Sequence, residues 1–243
     1  MNSFNIEYDY KNHVLLRRKG RGDAGTLAGK VVLLLFFVND SIAIWTDSAR
    51  KKFSKTHQTA METIIALAQE HSVSLTIDTV VEEVTVPFAC NRDSSHDWPQ
   101  DIIAPYSKKL FKGYRKHFKE TLGYDQIAVA FVLNRDFRAY AHQAPFFDIE
   151  CSVLSSSASN RTIIHEFFHQ FGAEDIYPLE YCMESVKKLN YPSIMAITGN
   201  TYVDTLTAYA IGWSDEIDEK AVALLEATKH LTIKEIFNFR KRT

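Results

Sequence analysis

The 243-residue chain is long enough to bury a full core, as one large domain or two small ones. Its 46% apolar and 24% charged residues are ordinary for a soluble globular protein, and a net charge of −2 leaves no basic field to hold nucleic acid or a membrane surface. Three cysteines, Cys90, Cys151 and Cys182, are too few and too scattered for a disulfide framework.

The opening residues, MNSFNIEYDYKNHVLLRRKG, carry no apolar stretch of the signal-peptide kind, so a cytoplasmic protein is expected. Residues 4–18 alternate loosely and fit a hairpin around DYKN. GRGDAGTLAG (20–29) reads as a flexible connection. The first 29 residues are therefore expected to form an N-terminal arm, and 30–243 a single domain. Arg21-Gly22-Asp23 matches an integrin-binding tripeptide but reads as a solvated loop.

VVLLLFFV (31–38) is too short to span a bilayer and fits a buried strand. Residues 46–72 place Phe53, Ala60, Ile64, Leu67 and Ala68 near helical spacing, which predicts a long helix; 73–86 is β-rich. Residues 105–121 read as a helix whose Lys108, Lys109, Lys112, Arg115, Lys116 and Lys119 form a solvated basic face. Strands follow at 126–133, 138–142 and 149–154, with Pro145 suited to a sheet edge. SSSASN (155–160) offers N-caps for a helix over 161–171, and further helices are expected around 202–211, 218–228 and 232–239. The alternation predicts an α/β (α+β) fold.

The helix over 161–171 carries the chemistry. Ile163, Phe167 and Phe171 share a stripe that Ile164 and Phe168 widen, so that face enters the core. His165 and His169 are four apart and project from one side, a spacing at which two neutral imidazoles hold one Zn²⁺. Glu166 cannot easily reach the same ion but can act on water beside it, as a general base. Gly172 can end the helix and reverse the chain, bringing Asp175 back as a third ligand. Glu180 or Glu184 from a later helix is an alternative third ligand; His142 and His96 are ligands on paper only. A helix with two histidines buried or solvated for ordinary reasons is the plain alternative.

HEFFHQFGAED resembles HExxHxxGxx(H/D), the signature of the metzincin metallopeptidases, in the variant with Asp as third ligand that snapalysin-like enzymes carry. Ser193-Ile194-Met195 resembles the family's Met-turn, with Met195 as a soft floor beneath the metal ligands. The resemblance implies a twisted mixed sheet with an antiparallel edge strand, a long backing helix and an active-site helix. It further implies a Zn²⁺ cofactor, and a peptide or protein substrate laid along the edge strand at 138–142, with no nucleic acid or membrane partner. It implies a specificity pocket walled by 196–202. The chain departs from the pattern at Ile197, where many members place a tyrosine; Tyr191, Tyr202 and Tyr209 are candidates to replace it. Cys182 lies close to the site along the chain, either as a blocking ligand or as a small loop residue.

The function read from these residues is a zinc-dependent endopeptidase with Glu166 as general base, metal ligands His165, His169 and Asp175, Met195 in the turn and Gly172 ending the helix. Two alternatives stand beside it: a catalytically silent, zinc-stabilised binding module, and a zinc amidohydrolase acting on a non-peptide amide.

Overall fold

The strand β1, Gly29–Asn39, is buried on both faces along nearly its whole length. Its odd residues Val31, Leu33, Leu35 and Phe37 enter one apolar cluster, and its even residues Val32, Leu34, Phe36 and Val38 enter another. Side chains alternate across a strand, so an unbroken apolar run serves a sheet covered on both sides. This is a computed structural model, and it describes residues 10, 13–17, 19, 24–93, 97–110, 113–142, 149–197 and 200–240.

Four further strands complete the sheet: β2 (Leu75–Thr85), β3 (Gln126–Leu133), β4 (Tyr140–His142) and β5 (Cys151–Ser155). Their order is β2-β1-β3-β5-β4. All pairings are parallel except that of β4 with β5, in which Tyr140 faces Val153 and His142 faces Cys151. The expected α/β class and the antiparallel edge strand are both present. His142 is buried on β4, where desolvation and the nearby Arg92 lower its pKa to about 4. His96, Pro145 and the Arg21-Gly22-Asp23 tripeptide lie outside the described residues.

One face of the sheet carries α1, Asp47–Glu70, capped by the Thr46 side chain. The other carries α2 (Trp98–Lys109), then α3 (Gly113–Lys116), which continues as a π-helical turn through Thr121. The helix expected over 105–121 is thus two pieces. Asp97 caps the first at its start and Pro99 fits the first turn, so it begins earlier; Gly113, at φ +82°, separates the second. Trp98, Ile102 and Ile103 turn inward, while Lys108, Lys109, Lys116 and Lys119 are exposed and Lys112 lies outside the described residues.

After β5 the chain forms α4 (Asn160–Gln170), α5 (Tyr177–Cys182), α6 (Glu184–Lys188), α7 (Thr205–Ile211), α8 (Glu219–Thr228) and α9 (Ile233–Arg240). α5 and α6 occupy a stretch read as a loop around Cys182, and as a later helix only in the alternative that made Glu180 or Glu184 a ligand. The described residues of the N-terminal stretch do not stand apart as an arm. Tyr10, Val14, Leu15, Leu16, Ala24 and Leu27 are buried in the same cluster as the odd face of β1. His13 Nε2 lies 3.1 Å from the Leu225 carbonyl on α8, and Tyr10 bonds to Glu226. No helix among the described residues is long and apolar enough to cross a membrane.

Candidate active site

α4 is anchored before it is functional. Ser159 caps it by accepting the Thr162 amide at 3.2 Å. Ile163, Ile164, Phe167, Phe168 and Phe171 are all buried, and Phe168 meets Trp213 edge-on at 5.7 Å. Gln170 ties the helix to the sheet by accepting the Val129 amide at 2.9 Å and donating to Ser152 Oγ at 2.8 Å. Burying a large apolar side chain stabilises by about 1.5–3 kcal/mol, so this face fixes the helix before any ligand binds.

The chain reverses just past α4. Gly172 sits at φ 104°, a region open to glycine without side-chain strain. The Ala173 amide then donates back to the Phe168 carbonyl at 3.2 Å. The Ala173 carbonyl lies 2.8 Å from His169 Nδ1, and the Ile194 carbonyl lies 3.0 Å from His165 Nδ1. A carbonyl only accepts, so each Nδ1 carries the proton and each Nε2 of a neutral ring presents its lone pair.

Those two Nε2 atoms are 3.2 Å apart, and Asp175 Oδ1 lies 3.0 Å from each. All three residues are buried. Three acceptor atoms that close repel one another unless a positive charge lies among them, either a proton or a metal ion. Burial works to lower the His165 pKa, but bonding and charge from Asp175, with Glu166 and the Ile194 carbonyl, leave it raised. The donor set fits zinc: ligands about 2.0–2.1 Å from a tetrahedral ion stand roughly 3.3 Å from one another. The Glu166 carboxylate is also within 4.8 Å of both imidazoles. Asp175 Oδ1 is in direct contact with both Nε2 atoms. Glu166 is buried, and desolvation raises its pKa against the opposing pull of His165, His169 and Arg138.

The turn at 193–195 meets this cluster through its backbone carbonyls. Met195 is fully buried, its amide donates to Ser193 Oγ at 2.9 Å, and its carbonyl accepts the amides of Ile176 and Tyr177 at 2.8 and 3.1 Å. The turn therefore orients His165 through Ile194 and ties down the segment after Asp175. Arg17 adds a brace by pairing with Glu174 at 3.0 Å.

Glu180 and Glu184 are not among the converging atoms. Glu180 accepts the Ile197 amide at 2.7 Å, and Glu184 is exposed. Of the three tyrosines considered, Tyr191 is buried and bonded to Asp204, Tyr209 is buried beneath Lys19, and Tyr202 is exposed. Cys182 is exposed and lies on the rim.

A cleft of about 840 Å³ opens onto His165 and Glu166. Its walls come from Phe137–Ala139 beside the edge strand, from the start of α4, from α5, and from Ala196 and Ile197. A smaller cavity of about 80 Å³ touches His165, Glu166, His169 and Asp175, room for more than one water at the roughly 10–15 Å³ that each needs. Arg138 and Tyr177 line both, and Arg138 donates to the Tyr177 hydroxyl at 2.6 Å. Neither was singled out in the sequence. Tyr177 stands two residues past Asp175, and that proximity was the available signal.

No family model matches the sequence, and no curated protein compared with it matches either. Among solved structures the chain is similar to metalloproteinase-II from Bacteroides fragilis, at 13% identity and a TM-score of 0.36, over 91% of this chain and 60% of that one. The chain therefore spans 60% of that protein's length, and a likeness at this level assigns neither family nor activity.

Proposed function

We propose that the chain is a zinc-dependent endopeptidase. The observation that carries this reading is the convergence of His165 Nε2, His169 Nε2 and Asp175 Oδ1 at 3.0–3.2 Å, with both Nδ1 protons held by carbonyls. Bound by those three atoms, Zn²⁺ supplies a Lewis acid that polarises a carbonyl and acidifies water. Glu166, whose pKa burial raises, takes the proton from the attacking water and returns it to the leaving amine. Tyr177, whose hydroxyl already accepts from Arg138, donates to the oxyanion from the cleft wall. An extended peptide adds to the outer edge of β4, the last strand of the sheet among the described residues, and crosses the cleft. A buried carboxylate in the position of Glu166 favours an enzyme over a silent zinc-stabilised module, because structural zinc does not need a base.

The test is cleavage of casein by zinc-replete protein, with and without a chelator, followed by mapping of the products. Chelator-sensitive cuts at internal peptide bonds, restored by added zinc, are expected. Absence of any chelator-sensitive cleavage would overturn the reading.

A further inference from the structure

Arg161 stands one helical turn before His165 on the same side of α4, and both line the cleft. Its Nε donates to the Asn200 carbonyl at 3.0 Å, and its Nη2 to the carbonyls of Ile194 and Ala196 at 3.0 and 2.9 Å. These bonds hold a part-buried guanidinium rigidly against the turn that carries Met195. They leave Nη1 without a hydrogen bond to any described residue, and no carboxylate among the described residues pairs with the charge. Among the described residues lining the cleft, Glu166 is the sole carboxylate, and Arg138 adds a second positive charge. A fixed cation satisfied only by neutral carbonyls, with one edge of its fork open to a cleft, is built to receive an anion.

We propose that Arg161 determines specificity by binding a substrate carboxylate, the side chain of an Asp or Glu within two residues of the cleaved bond. The reach follows from geometry. One helical turn advances about 5.4 Å, and an extended peptide advances about 3.3 Å per residue. A carbonyl placed over His165 therefore sets a carboxylate one or two residues away beside Arg161. The inference rests on the peptidase reading for the chemistry, but not for the binding.

The test uses internally quenched peptides identical except for Glu, Gln or Lys at the two positions on either side of the mapped cut. Wild type should prefer Glu to Gln by at least about tenfold in kcat/KM at one of these positions, with Lys poorest. Raising the salt from about 0.05 M to about 0.5 M should compress that ratio. In Arg161→Gln the ratio should fall to about one, and Arg161→Lys should recover part of it. The ratio is the readout because a slackened turn lowers the rate on every peptide alike. Fluorescence anisotropy with labelled Glu and Gln peptides on Glu166→Gln protein measures binding alone. A Glu-to-Gln ratio near one in wild type, or one that survives in Arg161→Gln, would confine Arg161 to bracing the turn and overturn the proposal. Cleavage without discrimination sinks this proposal and leaves the peptidase standing. Arg161-dependent binding of the Glu peptide, with no peptide cleaved, does the reverse.

Discussion

Acid should unfold this protein through a histidine far from the candidate site in sequence. His57 lies on the inward face of α1, 4% exposed, stacked on Phe53, with Nε2 buried and without a partner among the described residues. Burial lowers its pKa from 6.5 to about 4. The unfolded chain takes a proton at about 6.5 while the folded chain resists until about 4, so the stability present above pH 6.5 drains away as pH falls between those values. At about 1.4 kcal/mol per pH unit, lowering the pH from 7.5 to 5 should remove about 2 kcal/mol. His142, lowered to about 4 as well, adds a similar loss. Together these consume a large part of the roughly 5–15 kcal/mol that holds a domain together. The assay is urea unfolding of wild type and His57→Leu at pH 7.5 and pH 5, with chelator present so that metal release does not enter. The leucine variant should keep about 2 kcal/mol more of its stability at pH 5 than wild type does. Stability that falls in parallel for both proteins would refute a buried, neutral His57.

Asp175→Ala should weaken zinc binding by more than the about 10–100-fold that loss of an outer partner costs, while Glu184→Ala leaves it unchanged; chelator competition decides, and the opposite pattern would remove Asp175 from the ligand set. Glu166→Gln should retain zinc and lose at least about 10²-fold in turnover. In wild type the acid limb of kcat/KM should lie above the ordinary carboxylate value of 4.5, because burial raises Glu166 and the base must be deprotonated; a limb at or below that value would count against it. Tyr177→Phe should lower kcat by about 10²-fold with KM little changed, and an unaffected kcat would take the hydroxyl out of the reaction.

The parts of the fold that were legible in the sequence are those where one physical demand dominates. β1 and β3 are strands covered on both faces, so their apolar runs at 31–38 and 126–133 lie within the observed elements. α4 was bounded by a serine cap and a glycine, both of which act locally. α2 was misplaced because its lysines were read as the helix, when its start is written in Asp97 and Pro99 and its inner face in Trp98, Ile102 and Ile103. The histidines and Asp175 fall within eleven residues of one another, so their meeting could be anticipated. The whole cleft wall could not: the edge strand at 138–142 and the stretch from 196 were expected beside the site, but the segments near 161 and 177 join them only through the tertiary fold. Arg161 was the exception: at four residues before His165, helical spacing alone puts it on the same side.

The ion pair between Arg17 and Glu174 links distant parts of the chain. Arg17 belongs to a stretch that packs on α8, and Glu174 is the neighbour of Asp175. On the proposed reading, with Asp175 holding zinc, docking of that stretch and binding of the ion form one linked equilibrium, each favouring the other. On that reading the ion pair lets a residue near the start of the chain bear on how firmly the third ligand is held.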